Sequence, residues 1–306
     1  MCTVAVLGLG KMGSAMAARL LASGHSLHLY NRTSARAASL VRKGAQLFAT
    51  PAQACTGVDA IICMVADDPA SQAIWSGAQG VLAGTPKPNA FAVECSTLSH
   101  AWVLELATKA RAGGLRYIDA PVTGLPDQAA AGELTLLVGA ATADLAAARE
   151  VLDALSQRII HFGAIGTGTA YKLIINMLGA VQIASVAESM AIAERAGLDL
   201  RTVAQAIATG QAASPQVVRS SQRIAAGDYR REVVFTPHLR LKDVRYALQL
   251  TQSMGIGAPF GSRAEAAFRQ LCQLGFQETH ESSIMEVARL QMPAEPDDQL
   301  LAMPNG

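Results

Sequence analysis

The chain of 306 residues is long enough for two domains with their own cores, and 51% hydrophobic against 16% charged residues excludes a disordered chain. A formal charge of +1 with no Lys/Arg cluster argues against nucleic acid as a partner and leaves a small molecule as the expected ligand. Five cysteines, at 2, 55, 63, 95 and 272, are odd in number and form no CxxC pair, so neither a disulfide framework nor a metal site is expected and reduced cytoplasmic thiols fit best.

A strand pattern starts within four residues of the N-terminus, which leaves no room for a signal peptide. Val4 to Leu7 is a short, wholly apolar run of the kind found in a central parallel strand covered on both faces. Gly8-Leu9-Gly10-Lys11-Met12-Gly13 follows at once, then Met16, Ala17, Leu20 and Leu21 at helical spacing and Gly24 as a stop. A GxGxxG between a first strand and a helix marks a dinucleotide site. Its glycines let the backbone approach a pyrophosphate whose charge the helix N-terminal amides hold.

Ser26 to Tyr30 reads as the second strand, ending at Asn31-Arg32-Thr33, eighteen residues after Gly13. An NAD site usually places an acidic residue there on the ribose 2′-hydroxyl. This chain offers donors instead, with Arg36 a turn further on, and leaves a 2′-phosphate unopposed, which favours NADP while keeping NAD possible. The same residues also suit a solvated arginine with Thr33 or Ser34 capping the next helix. Strands are expected at Ala60 to Met64, Ala90 to Cys95, Arg116 to Ala120, Leu134 to Val138 and Arg158 to Phe162. Helices are expected from Ser96-Thr97 to Arg111 and from Thr142 or Asp144. This alternation predicts a doubly wound parallel sheet over residues 1–164.

Past Gly166 the pattern is helical only, predicting an all-α domain over 165–292 for substrate binding and dimerisation: a long helix over 166–195, then Leu200 to Thr209, Val217 to Ala226, Leu239 to Met254 and Gly261 to Leu274. The tail 293–306, rich in proline and polar residues, is expected to order only by docking. From Leu173 to Ala187 the long helix carries no charge and is apolar all round, so it reads as buried on most sides, between two bodies of protein; Asn176, Gln182 and Ser185 and the short uncharged run argue against a membrane span. Lys172 and Asn176, four apart, share one face. Either the lysine snorkels to water and the amide satisfies nearby backbone, or both line a cleft where an ammonium in an apolar wall exchanges protons near neutral pH.

Four motifs carry a resemblance to a known family: GLGKMGSAMAARL at 8–20, DAPVTG at 119–124 with ELTLLVGA at 133–140, GTGTAYKLIIN at 166–176, and FTPHLRLKDV at 235–244. In this order they resemble the β-hydroxyacid dehydrogenases, which include 3-hydroxyisobutyrate dehydrogenase, tartronate semialdehyde reductase and glyoxylate/succinic semialdehyde reductase. The likeness covers nearly the whole chain. It implies a Rossmann-type doubly wound sheet followed by an all-α C-terminal domain, in agreement with the pattern above.

Carried over, the resemblance implies Lys172 as the catalytic lysine and Asn176 as its neighbour in the substrate site. It implies that Thr123 and Gly124 hold the substrate carboxylate, that Lys242 reaches the site from the helical domain to serve cofactor and substrate, and that Thr97 lies near the nicotinamide ribose. Thr97 could equally cap a helix, Thr123 serve a turn, and Lys242 with Asp243 form a solvated pair. Two departures stand out: Thr123-Gly124-Leu125 where the family has Ser-Gly-Gly, and Glu94 where an aspartate is more usual, read as a minor change on the approach to a helix. The expected activity is NADP-dependent interconversion of a small β-hydroxy acid and its semialdehyde or keto acid by a homodimer or homotetramer. An imine reductase and a non-catalytic NADP-binding scaffold or sensor are the alternatives.

Overall fold

The computed structural model describes residues 1–290, so the tail expected over 293–306 lies outside the described residues. In chain order the elements are β1 (Thr3–Leu7), α1 (Lys11–Ala22), β2 (Ser26–Tyr30), α2 (Ala38–Val41), β3 (Gln46–Leu47), α3 (Pro51–Ala54), β4 (Ala60–Cys63), α4 (Asp68–Trp75), β5 (Phe91–Glu94), α5 (His100–Ala112), β6 (Arg116–Asp119), β7 (Val122–Thr123), α6 (Pro126–Ala131), β8 (Leu134–Gly139), α7 (Thr142–Leu155) and β9 (Ser156–Gly163). Helices follow: α8 (Thr167–Arg195), α9 (Leu200–Thr209), α10 (Pro215–Ala226), α11 (Pro237–Ser253), α12 (Pro259–Leu271) and α13 (Met285–Ala288).

The change from alternating elements to helices falls between Gly163 and Thr167, whereas packing divides the chain elsewhere. One compact unit comprises Met1–Leu178 with Lys242–Pro259, and the other Gly179–Leu241 with the described residues from Phe260 to Leu290.

The sheet of the first unit runs β3-β2-β1-β4-β5-β6-β8-β7, with β9 paired to β8. The strands β1 to β6 pair parallel. The expectation of a parallel sheet is corrected at one end: β6 and β7 both run antiparallel to β8, while β9 pairs parallel with β8. The DAPVTG segment turns along β8 there, so β6 meets β8 at only Asp119 and Gly139 before β7 takes over.

Alternation along the buried strands builds two cores, one on each face. Val4, Val6, Ala60, Ile62, Val93 and Ile118 join α1 and α7 through Met16, Leu20, Val151 and Leu152. Ala5, Leu7, Ile61, Cys63, Ala92 and Tyr117 join α4 and α5 through Trp75, Trp102, Val103 and Leu106. Successive side chains of a strand point to opposite faces, so only strands apolar at every position can serve both layers. Each fully buried Leu or Val contributes about 1.5–3 kcal/mol. The sequence direction reverses beside β1, which has β2 on one side and β4 on the other, and at such a point in an open sheet the strand C-termini form a binding crevice.

Helix α8 departs from the expectation of burial on most sides. Leu173, Ala180, Ile183, Val186, Ala187 and Met190 are buried, but Ile174 is 53%, Leu178 50% and Ile192 69% exposed. By length and composition alone α8 could cross a membrane, and a third of its apolar window is buried. In the second unit, Arg240 pairs with Glu281 at 2.7 Å in a buried ion pair, and Arg289 binds both carboxylate oxygens of Glu194 at 2.7 and 2.8 Å. Asp199 and Ser214 cap α9 and α10. The last predicted helix, Gly261 to Leu274, stops earlier, because a wider π-turn with Gly275 at φ +88° follows Leu271.

Candidate active site

The glycine turn shows why its residues are small. Gly8 has φ +97°, and a Cβ there would lie 2.3 Å from the Met64 carbonyl; a Cβ on Gly13 would lie 1.9 Å from the Gly8 carbonyl. Gly10 has open space around its Cβ position and stands at the N-cap of α1, where no side chain caps the helix and no acid occupies the first turn. Leu9 is buried, Met12 half-buried and Lys11 exposed. An uncapped helix start behind a turn that admits close approach fits a pyrophosphate, so the residues present suit a dinucleotide.

Asn31 does something other than the donation expected of it. Its Oδ1 accepts from the Leu9 amide at 2.8 Å and its Nδ2 donates to the Thr33 carbonyl at 2.8 Å, bracing the glycine turn against the end of β2. Arg32, Thr33 and Arg36 are exposed at that strand end, and Thr33 precedes the next turn of helix without a side-chain cap bond.

The other expected residues gather at the same strand ends. Lys172, on α8, donates through Nζ to the Val122 carbonyl at 2.8 Å, just past β6. Asn176 donates to Asp243 Oδ2 at 2.6 Å, and Asp243 Oδ1 lies 3.0 Å from Lys242 Nζ. Lys242 Nζ also donates to the Ala66 carbonyl at 2.6 Å and the Thr97 carbonyl at 2.7 Å, beyond β4 and β5 respectively. Lys242 and Asp243 are therefore not a solvated pair, since their side chains are 14% and 2% exposed. Thr97 receives Lys242 through its carbonyl, and Ser99, not Thr97, caps α5 by accepting from Trp102 N at 3.2 Å.

Thr123 is exposed at the end of β7. Gly124 has φ +140°, and a Cβ there would meet Leu134 Cδ2 at 2.7 Å, so this position admits only glycine without strain. Leu125 is 47% exposed, with its amide donating to Gln128 Oε1 at 2.9 Å.

Several residues of the group escape a reading of the sequence. Asp119 is fully buried and accepts from Gly166 N at 2.6 Å and Thr169 N at 2.8 Å, tying the start of α8 to the end of β6 one turn before Lys172. Burial pushes its carboxyl up to about 6 against the pull of those amides. Gly168 lets the same helix start approach β8: its Cβ would lie 2.2 Å from the Leu137 carbonyl. The available signal was an acid inside a strand otherwise apolar past Arg116, which demands a buried partner.

Glu94 is likewise no minor change on the approach to a helix. It ends β5, 1% exposed, and accepts from Ser71 Oγ at 2.9 Å, Trp75 Nε1 at 2.8 Å and Ser96 N at 3.1 Å; burial pushes its carboxyl up. Among the described residues, donor atoms of metal-binding type come within 4.8 Å of one another at Cys2, His25 and Glu150, where the N-terminal ammonium already contacts Glu150 at 2.5 Å.

Comparison with known proteins bears on the family and the fold. Residues 3–163 match the NAD binding domain of 6-phosphogluconate dehydrogenase, and residues 166–288 match the NAD-binding domain of NADP-dependent 3-hydroxyisobutyrate dehydrogenase. The chain is 30% identical to an NAD-dependent L-serine dehydrogenase of Pseudomonas aeruginosa over 93% of its own length and 97% of that protein. It is 30% identical to the human mitochondrial 3-hydroxyisobutyrate dehydrogenase over 94% of its length and 86% of that one. Among solved structures, a Mycobacterium tuberculosis 3-hydroxyisobutyrate dehydrogenase with L-serine superposes with a TM-score of 0.85 at 28% identity, covering 95% of this chain and 100% of that one.

Proposed function

The chain belongs to the β-hydroxyacid dehydrogenase family of NAD(P)-dependent oxidoreductases, and from that premise we propose that it interconverts a small β-hydroxy acid and its semialdehyde or keto acid with NADP(H), Lys172 serving as general acid and base. The observation that carries this reading is the convergence at one sheet edge. Lys172 is held on the Val122 carbonyl, next to Thr123 and Gly124, with Asn176 one turn away on the same helix face.

Bound NADPH supplies the hydride that reduces the carbonyl carbon. Thr123 and the backbone at Gly124 anchor the substrate carboxylate, which fixes the carbonyl relative to the lysine. The Lys172 ammonium donates its proton to the carbonyl oxygen as that oxygen gains negative charge, giving the hydroxy acid and a neutral amine that water reprotonates. In the oxidative direction the neutral amine takes the hydroxyl proton. Asn176, fixed by Asp243, presents its amide beside the same oxygen, and the Lys242 charge favours anionic ligands at this edge.

Arg32, Thr33 and Arg36, with no carboxylate among them, support NADP over NAD at the end of β2. The compounds that name these relatives, 3-hydroxyisobutyrate and L-serine, share a hydroxymethyl group next to a carbon bearing a carboxylate, and this class is the proposed substrate. Following NADPH and NADH oxidation against glyoxylate and succinic, methylmalonic and tartronic semialdehydes, with a cyclic imine as a further arm, tests the reading. Turnover of a semialdehyde and none of the imine is expected; turnover of the imine alone overturns it.

A further inference from the structure

The Lys242 ammonium donates to the Ala66 carbonyl at 2.6 Å and the Thr97 carbonyl at 2.7 Å, and forms an ion pair with Asp243 Oδ1 at 3.0 Å. The two carbonyls belong to different loops, one after β4 and one after β5. Their dipoles point at a common atom and repel each other unless a cation sits between them, so the site the ammonium occupies depends on how far apart the two loops are held.

Ser96 supplies that brace. Its Oγ accepts from Val65 N at 2.8 Å, joining the residue before Ala66 to the residue before Thr97. Ser96 is 1% exposed, and its own amide is fixed by Glu94 Oε1 at 3.1 Å. The other oxygen of Glu94 is locked by Ser71 Oγ and Trp75 Nε1 from α4, and Ser71 Oγ in turn accepts from Trp102 Nε1 at 3.0 Å from α5. A second tie, Ser99 N to Asp68 Oδ1 at 2.8 Å, closes the far side of the same two loops, and Asp68 N donates to Tyr246 Oη at 3.1 Å, one turn from Lys242 on α11.

We propose that Ser96, seated on Glu94, is a positioning residue for Lys242: it sets the separation of the Ala66 and Thr97 carbonyls and so fixes the ammonium, and through Asp243 the Asn176 amide, at the strand ends. The inference rests on the reading above that Lys242 and Asn176 serve the site. Ser96 and Glu94 are each 1% exposed and serve as positioning residues only. A buried serine in contact with two loops has a purely structural use as well, and the two uses differ in one respect: only the positioning role makes the effect of Ser96 depend on the presence of the Lys242 ammonium.

A double-mutant cycle of Ser96→Ala and Lys242→Met tests this. Semialdehyde reduction gives kcat/KM, and hydrogen exchange of the cofactor-free protein gives amide protection over residues 64–68 and 95–99. Ser96→Ala is expected to lower kcat/KM about tenfold and to raise exchange in both segments, as Lys242→Met does, while adding less than twofold in the Lys242→Met background. Ser96→Thr, which keeps the hydroxyl, restores most of the activity. Should Ser96→Ala fail to fold, Ser96→Cys, whose thiol accepts weakly, takes its place in the cycle. Multiplicative losses, with Ser96→Ala costing the same factor whether or not the lysine is present, overturn the proposal and leave the functional reading standing. An unchanged kcat/KM in Lys242→Met removes Lys242 from the site and overturns the proposal, while the turnover itself leaves the functional reading standing.

Discussion

Asp119 is an ionisable group sealed inside a sheet, and its titration reports on the start of α8. Burial raises its carboxyl from the ordinary 3.8 to about 6, even though two backbone amides favour the charged form. Because the folded value lies above the unfolded one, the stability this group contributes is fully present below about pH 4 and is lost as pH rises through about 6. The interval from 3.8 to about 6 corresponds to about 3 kcal/mol. Asp119→Asn does not titrate, so urea unfolding should show the wild-type protein losing about 2–3 kcal/mol relative to this variant between about pH 4 and about pH 7. Parallel profiles for the two proteins contradict that role.

Arg32 belongs to the same scale. Arg32→Glu is expected to raise the Kd for NADPH tenfold or more, about 1.4 kcal/mol, while sparing NADH, because only NADPH carries the phosphate it opposes. Fluorescence titration with both cofactors checks this, and an equal effect on the two removes Arg32 from phosphate binding.

At the scale of elements, the turn between β1 and α1 separates two uses of glycine. Gly13→Ala forces a Cβ to within 1.9 Å of the Gly8 carbonyl, so the thermal midpoint should fall by several degrees and cofactor binding should be lost. Gly10→Ala meets nothing within 4 Å and has an ordinary φ of −71°, so stability should hold while NADPH affinity drops, because the methyl stands where the pyrophosphate approaches. Calorimetry with cofactor titration distinguishes them, and an equal loss of stability in both variants contradicts the account.

The elements that were legible in the sequence share one property: their pattern is long enough to have a period. Val4 to Leu7, Ala60 to Cys63 and the 29-residue α8 announce themselves by unbroken or helical apolar spacing. The two-residue strands β3 and β7 and the four-residue helices α2 and α3 are too short to repeat anything, although Thr50 caps α3 ahead of Pro51. For the proposed site, Lys172 and Asn176 stand out as polar exceptions four apart in an apolar helix, and Thr123, Gly124 and Lys242 come from motif likeness. The bonds that organise them were not: Asn176 meets Asp243 across 67 positions and Asp119 meets Thr169 across 50, separations at which no local pattern carries information. Leu9 to Asn31, at 22 positions, is a further bond of this kind, bracing the glycine turn through an expected cofactor residue.

For the whole molecule, one face of α8 raises a question of assembly. Ile174, Ile175 and Leu178 are exposed at helical spacing, and an apolar stripe of this kind is more stable covered. Covering it with a second copy accords with the expected homodimer or homotetramer. Sedimentation velocity should find an oligomer, with the paired change Ile174→Asp and Leu178→Asp moving it toward the monomer; a monomeric wild-type protein at micromolar concentration contradicts this.

The whole account turns on the proton that Lys172 gives to the substrate oxygen. Pre-steady-state NADPH oxidation with a semialdehyde, compared between the wild-type protein and Lys172→Ala with NADPH affinity measured alongside, tests it most directly. The account predicts a fall in the reduction rate of about 10²–10⁴-fold, the range of a lost general acid, with the NADPH Kd unchanged. Reduction by Lys172→Ala at the wild-type rate, or a loss explained wholly by weaker NADPH binding, contradicts it.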